Sequence, residues 1–582
     1  MLGAHVTSFF SFSNLEHRIA LLSFFPFISW FLLVIFKSGT FQNTHGSDPL
    51  AAINVLYPFY WIILSFFILI FVYVIYRDCD SPFLHVLLLC EISLVLFFTP
   101  FVLSGFSWSP DSLFHGGVAS YLPQILNGAN IPFSDYPQAY PLSYLLTYSL
   151  QNLFRLNIIQ YTLYVYPALS SILISVLGYF FVAKVIGPKN AFLAMIVTLS
   201  ALHYLEPHVS PFSTGTILIL FALISLTMKS RIAKVLFVIS VLALVLTHPI
   251  SPLSLGVFLF YVLVVKFLST KLFGLSLDLG FFSKIASNIS FTSVFLTMAV
   301  WFTWTLNYSY QAYGSVGYSI ARILSLEFLN VVDEATQFTV GGFIYPEIFQ
   351  INLIVYAIFA IFSLFFVLRS FKNILQKSTS TFTLLEFFFS SLALIYAAYS
   401  YLLYLGSGEH VILGRGLIFF VLMASLPISM FLLNKSNNFR VKQMKLLFSV
   451  LLLTGLFFSF PIVSYSKEAY NTYTPSQAAG LEFMADNLNL SMGTVSLSAD
   501  QQLASYVNLN DGLSLIKYPP DLDSIQPDYV VLRVNYYLAR AMRYELDFEN
   551  NTHTQLVTEL SNNPDYTKIY SNGEFEVYAK SN

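Results

Sequence analysis

The chain has 582 residues, 56% of them hydrophobic and only 10% charged. A soluble globular protein carries about 25% charged residues, so this composition excludes one and defines an integral membrane protein. The net charge of −2 offers nothing to nucleic acid, and no nucleic-acid partner is expected.

The first 17 residues lack a signal-peptide pattern, and the apolar run after Arg18 is about long enough to span, so it reads as a retained helix. Cys79 lies in a short loop beside charges and Cys90 within an apolar span, so no disulfide is expected. Apolar segments predict spanning helices at 18–36, 51–76, 84–104, 158–183, 190–206, 211–228, 234–248, 250–268, 286–306, 347–368, 381–404, 413–433 and 446–464. Several are shorter than the ~20 residues that usually span and require packing within a bundle. The expected fold class is an all-α polytopic membrane protein of about 13 transmembrane helices. Orientation follows from the basic residues of the connections. With the N-terminus inside, the inner connections hold 17 Lys and Arg and the short outer ones hold 4: Lys37, Arg155, Arg322 and Arg415.

Within this apolar chain one stretch, 104–157, is rich in proline, glycine and acids. A helix starting near Ser109, with Pro110 at its first position, puts Asp111 and His115 on one face. Gly128 and Pro132 close it, and Asp135 lies in an extended, proline-bounded segment before Tyr140-Pro141. Residues 141–154 look like a short span. Were they to cross, every later basic cluster would face outward, so they are expected to lie at the outer interface. A second outer loop, 307–346, carries Arg322, Glu327, Asp333, Glu334 and Gly341-Gly342, and a short loop, 405–414, delivers His410 to Arg415 at the membrane edge. From Ser466 the composition turns polar. A helix opening at Thr474-Pro475, strands at 493–499 and 528–534, and a hairpin over 569–578 around Asn572-Gly573 predict a small α/β domain. The chain thus divides into 1–465 and 466–582.

Asp111 is the sharpest candidate: an acid at the outer end of a span serves as general base or holds a divalent metal, or is simply a solvated helix-start residue. His115 at i+4 could share that metal or a substrate, or be a satisfied interface histidine. Asp135 sits among Pro132, Tyr136 and Pro137, either held over a cleft or stabilising a turn. Glu206 and His208 lie in one outer turn and His248 in another, where ionisable groups are functional candidates by default. His410 and Arg415 suit a lipid phosphate at the membrane boundary, since arginine offers paired donors to phosphate oxygens; the alternative is a snorkelling arginine. No P-loop, dinucleotide fingerprint, CxxC or HExxH occurs.

The order of these features resembles the GT-C superfamily of polyprenyl-phosphate-sugar-dependent glycosyltransferases, in a prokaryotic layout similar to protein mannosyltransferases and aminoarabinose transferases. The resemblance rests on Asp111 directly after a span, on Asp135-Tyr-Pro-Gln-Ala-Tyr-Pro-Leu before the interfacial helix, and on the closing Lys568-Ile-Tyr-Ser-Asn-Gly-Glu-Phe-Glu-Val-Tyr. It covers roughly 84–582, with 18–76 as two additional spans. It implies an inverting transfer from a polyprenyl-phosphate-linked sugar donor to a protein, lipid or glycan acceptor, at the outer face of a cell membrane. Asp111 and Asp135 would be catalytic. His115, Tyr136, Glu206, His208, His248, His410 and Arg415 would bind substrate. Any divalent metal, Mg or Mn, would sit on Asp111 and His115. Two departures matter: Asp111 precedes Ser112 rather than a second acid, and the WWDYG sequence of oligosaccharyltransferases is absent. A transporter or flippase of a lipid-linked glycan, to which Glu91 and Glu386 within spans point, is the rival reading, and a non-catalytic envelope assembly factor a third.

Overall fold

Serine caps and prolines start most of the helices. The computed structural model describes residues 13–38, 51–104, 110–120, 122–123, 136–157, 160–203, 205, 207–271, 289, 291–308, 346–376, 380–407, 410–434, 439–467, 479–480, 483, 495–497, 529–533, 558, 560–571 and 575–581. Helix α1 (Asn14–Lys37) opens with a capping box: Glu16 N–H donates to Ser13 Oγ at 3.2 Å and Ser13 N–H to Glu16 Oε2 at 2.9 Å. The expected span 51–76 is instead two helices, α2 (Ala51–Leu56) and α3 (Phe59–Tyr76), because Pro58 has no N–H to continue the first. Helix α4 (Pro82–Ser104) winds as a π-turn over Leu94–Phe98. Three short helices follow: α5 (Pro110–Ser120), α6 (Tyr136–Ala139) and α7 (Leu142–Phe154). Helices α8 (Tyr161–Ile186) and α9 (Pro188–Ala201) are separated only by Gly187, at φ 85°, a conformation that side chains disfavour.

Helices α10 (Pro211–Leu226) and α11 (Arg231–Val245) are capped by Ser210 and Ser230. The bundle continues with α12 (Ile250–Lys271), α13 (Phe291–Tyr308), α14 (Pro346–Leu375), α15 (Thr381–Ser407), α16 (His410–Leu433) and α17 (Phe439–Lys467). Every expected span therefore has a helix. Among the described residues nine are long and apolar enough to cross a membrane: α1, α3, α4, α8, α12, α14, α15, α16 and α17. The remaining four, α9, α10, α11 and α13, are shorter or less apolar. Helix α9 explains how so short a pass is stable, because it is buried on every face from Ala191 to Ala201. The protein is a multi-pass helical membrane protein. Its expected loop at 405–414 is largely helix, since α15 runs to Ser407 and α16 begins at His410.

Successive passes alternate in direction and give the bundle two distinct ends. At the basic end Lys189 pairs with Asp78, Ser81 N–H donates to Glu16 Oε1 at 3.2 Å, and Lys445 Nζ donates to the Phe431 and Asn434 carbonyls closing α16. At the opposite end Tyr60 and Tyr465 hydroxyls meet at 2.7 Å over the carbonyls of the π-turn in α4. The end of α4 packs on the first turn of α8 at this same end, so the chain between them returns where it left. Buried Ser143, Tyr144 and Thr147 mark the inward face of α7, while Leu145, Leu146, Leu153 and Phe154 stay exposed.

The expected C-terminal strands are present in a four-stranded sheet of order β1-β2-β4-β3, with β1 Val495–Leu497, β2 Tyr529–Arg533, β3 Tyr566–Ser571 and β4 Phe575–Lys580. β1 and β2 are parallel; β3 and β4 form the antiparallel hairpin that Asn572-Gly573 signalled. Residues 474–478 and 309–345, with the second outer loop's Arg322, Glu327, Asp333 and Glu334, lie outside the described residues.

Candidate functional site

The stretch 104–157 is docked onto the turn that carries His248. Leu142 N–H donates to the Leu246 carbonyl at 3.1 Å, Trp304 Nε1–H to Ala139 at 2.8 Å, and Trp301 Nε1–H to Pro249 at 2.8 Å. Helix α5 packs on α7 through Val118, Ala119 and Tyr144. Positions 111 and 115 fall on one face of α5, as the i, i+4 spacing requires. His115 is held there by the Tyr144 hydroxyl, 2.9 Å from its Nδ1.

His248 and Arg415, 167 residues apart, form the centre of this end. The backbone N–H of Ile250 donates to His248 Nδ1 at 3.2 Å, which assigns the proton of the neutral ring to Nε2. Arg415 Nη1 lies 3.3 Å from that Nε2. Guanidinium has donors only, so two N–H groups converge on one point, where an oxygen acceptor would satisfy both. Phe212 supports the pair: Arg415 sits 5.3 Å above its ring, and the His248 ring meets it edge-on at 5.4 Å. Burial holds the His248 imidazole well below its usual range, with the Arg415 charge and His115 adding to the effect. The ring is therefore neutral at pH 7.

Two glycines permit this approach. A Cβ at Gly416 would collide with Ser400 of α15, and one at Gly215 with Ser251 beside His248. Neither glycine stands in a motif, so sequence reading passed over both.

The other candidates are placed as follows. His208 is buried in the turn before α10, which Ser170 of α8 pins by donating to the Pro207 carbonyl at 3.0 Å. His410 is the first residue of α16, one and a half turns before Arg415, and Tyr136 opens α6. Asp135 and Glu206 lie outside the described residues. His203 went unnoticed in the sequence, although it stands three residues before Glu206. It is buried, with Nδ1 2.9 Å from Asn352 Oδ1 on α14, and burial lowers its pKa to about 4. Among the described residues no three His, Cys, Asp or Glu gather as a metal set. Of the acids within spans, Glu386 lies near the basic end, where Ser370 Oγ donates to Oε2 at 2.8 Å and Arg369 approaches Oε1 at 3.8 Å. Glu91 is buried midway along α4, with neither oxygen hydrogen-bonded among the described residues; the nearby Ser23 hydroxyl donates to the Ala20 carbonyl instead.

Fold and site together define a multi-pass helical membrane protein whose non-basic end gathers histidines, an arginine and an acid-bearing helix. No family model and no curated protein matches the chain. Solved structures align with it over 85% of its length. They include ArnT from Cupriavidus metallidurans bound to undecaprenyl phosphate, at 13% identity and TM-score 0.47 over 97% of that chain. The same protein in its apo state aligns at 14% identity and TM-score 0.46, also over 97%. The oligosaccharyltransferase of Archaeoglobus fulgidus, in complex with Zn and sulfate, aligns at 13% identity and TM-score 0.46 over 73% of its chain.

Proposed function

We propose that the chain is a GT-C type glycosyltransferase that moves a sugar from a polyprenyl-phosphate donor to an acceptor at the outer face of a cell membrane, with inversion. The observation that carries this reading is the convergence of the Arg415 and His248 donors, which asks for an anionic oxygen at the end of the bundle where α5 presents Asp111. Asp111 takes the proton of the acceptor hydroxyl, whose oxygen attacks the anomeric carbon. The bond from that carbon to the phosphate oxygen breaks, and its electron pair leaves with the lipid phosphate. Arg415 and His248 Nε2–H stabilise the resulting charge. Asp135, Tyr136, Glu206, His208 and His410 are further contacts for sugar or phosphate. In the alternative role, Asp111 and His115 would together hold a divalent metal, Mg or Mn, which would add Lewis acidity at the leaving phosphate. His115 would act there through Nε2, since Nδ1 faces the Tyr144 hydroxyl at 2.9 Å. The excess of Lys and Arg at the opposite end supports a cytoplasmic N-terminus and an extracytoplasmic C-terminal domain.

The test is transfer of labelled sugar by the purified protein from defined polyprenyl-phosphate donors. Sugar release with inverted anomeric configuration is expected; no release from any such donor, by folded protein, would sink the enzyme reading. Glu91 supports a second reading, a transporter, because a buried acid in mid-span is costly unless used. Donor or solute uptake into proteoliposomes without any transfer would favour it. Activity of neither kind would leave the assembly-factor role.

A further inference from the structure

The basic end carries a feature that the proposed transfer does not use. The turn from α10 to α11 holds Lys229, Arg231 and Lys234, all exposed, and residues 225–242 contain no acid. Beside it a groove of about 240 Å³ runs between the end of α10, the length of α11 and the first half of α13. Its walls are apolar, with Met228, Phe237, Leu242, Leu296 and Val300 among them, and among the described residues Lys234 is the one cation lining it. Met228, Val238, Leu242 and Leu296 are about half exposed, so the groove opens on the surface that faces lipid.

Its dimensions match one leaflet. From Lys234 to Leu242 is eight residues of helix, or about 12 Å at ~1.5 Å per residue. Half of a ~30 Å hydrocarbon core is about 15 Å. The groove therefore reaches from a headgroup layer to near the bilayer centre, and among the described residues its charge is at the headgroup end. We propose that it binds an anionic phospholipid, one acyl chain lying along α11 and the phosphate held by Lys234, with Lys229 and Arg231 alongside. Charge complementarity selects this occupant: three cations in six residues, in a stretch from 225 to 242 without an acid, favour an anionic headgroup over a zwitterionic one.

Native mass spectrometry of the full chain, released from mild detergent with added phosphatidylglycerol or phosphatidylcholine of identical chains, tests this. The wild type should retain one phosphatidylglycerol in preference to phosphatidylcholine. Lys234→Gln should reduce that preference about fivefold, and the triple variant with Lys229→Gln and Arg231→Gln should abolish it. Val238→Trp, at a half-exposed lining position, should fill the groove and cut retention of the lipid while the protein still elutes as a single folded species. Equal retention of the two lipids by the wild type would overturn the proposal. So would a triple variant that keeps its preference, or full retention by Val238→Trp.

Discussion

Replacing Arg415 by lysine keeps the positive charge and removes the planar pair of donors. In the wild type the guanidinium lies over Phe212 at 5.3 Å while Nη1 reaches the point in front of His248 Nε2, so one group serves both ends. A single ammonium on a flexible stem can serve only one of them. The loss is at least one charge-assisted hydrogen bond to the donor phosphate, about 1.5–3 kcal/mol. That is roughly 10- to 150-fold in donor affinity. The fold should suffer little, since the exposed part of a cation–π contact contributes about 0.5–1 kcal/mol. Calorimetric titration of a short-chain polyprenyl phosphate into detergent-purified Arg415→Lys, beside a thermal unfolding scan, reads both quantities. A dissociation constant within twofold of the wild type, in protein that unfolds normally, would refute the phosphate role. Arg415 would then be a residue that orients the chain and packs on Phe212.

Asp111→Asn should remove the ~10²–10⁴-fold that a general base supplies to turnover while changing donor affinity far less, because the base contacts the acceptor. Turnover at the wild-type rate would end that assignment, and chelator-sensitive activity with altered donor binding would point to a metal ligand instead. Stability should fall in acid. His203 is neutral in the fold, with its pKa lowered from 6.5 to about 4, so the unfolded chain binds a proton between those values that the folded chain does not. The stability present above pH 6.5 should drop by about 3 kcal/mol as pH falls to 4, and the drop should shrink by that amount in His203→Gln; parallel unfolding curves for both proteins would contradict it. Single cysteines placed in the C-terminal sheet should label from outside the cell, and ones beside Lys442 should not. Labelling near Arg231 from outside would break the assignment of 141–154 as a helix that does not cross.

What the sequence determined by itself is local. Asp111 and His115 on one face of α5 were legible because they stand four apart, whereas the caps Ser13, Ser81 and Ser230, equally local, were passed over and the expected spans began two to four residues late. The alternation of passes was legible because basic residues mark one end of each, and the terminal hairpin because its strands flank a two-residue turn signal. Pro58 was misread as tolerable within one long helix, though it divides α2 from α3. Meeting points between distant segments were beyond local reading. Nothing in the neighbourhood of His248 announces Arg415, and nothing near His203 announces Asn352, 149 residues away. The first pair exists because α10, α12, α15 and α16 approach closely at Gly215 and Gly416, where the absence of a side chain decides the spacing. The acid Glu386 teaches the same point from the other side. It reads as a carboxylate stranded in a span until Ser370 and Arg369 of the neighbouring helix are brought against it. Burial makes such polar groups costly unless partners are at hand, and which partners are at hand depends on how helices pack, a property that no single stretch of chain contains.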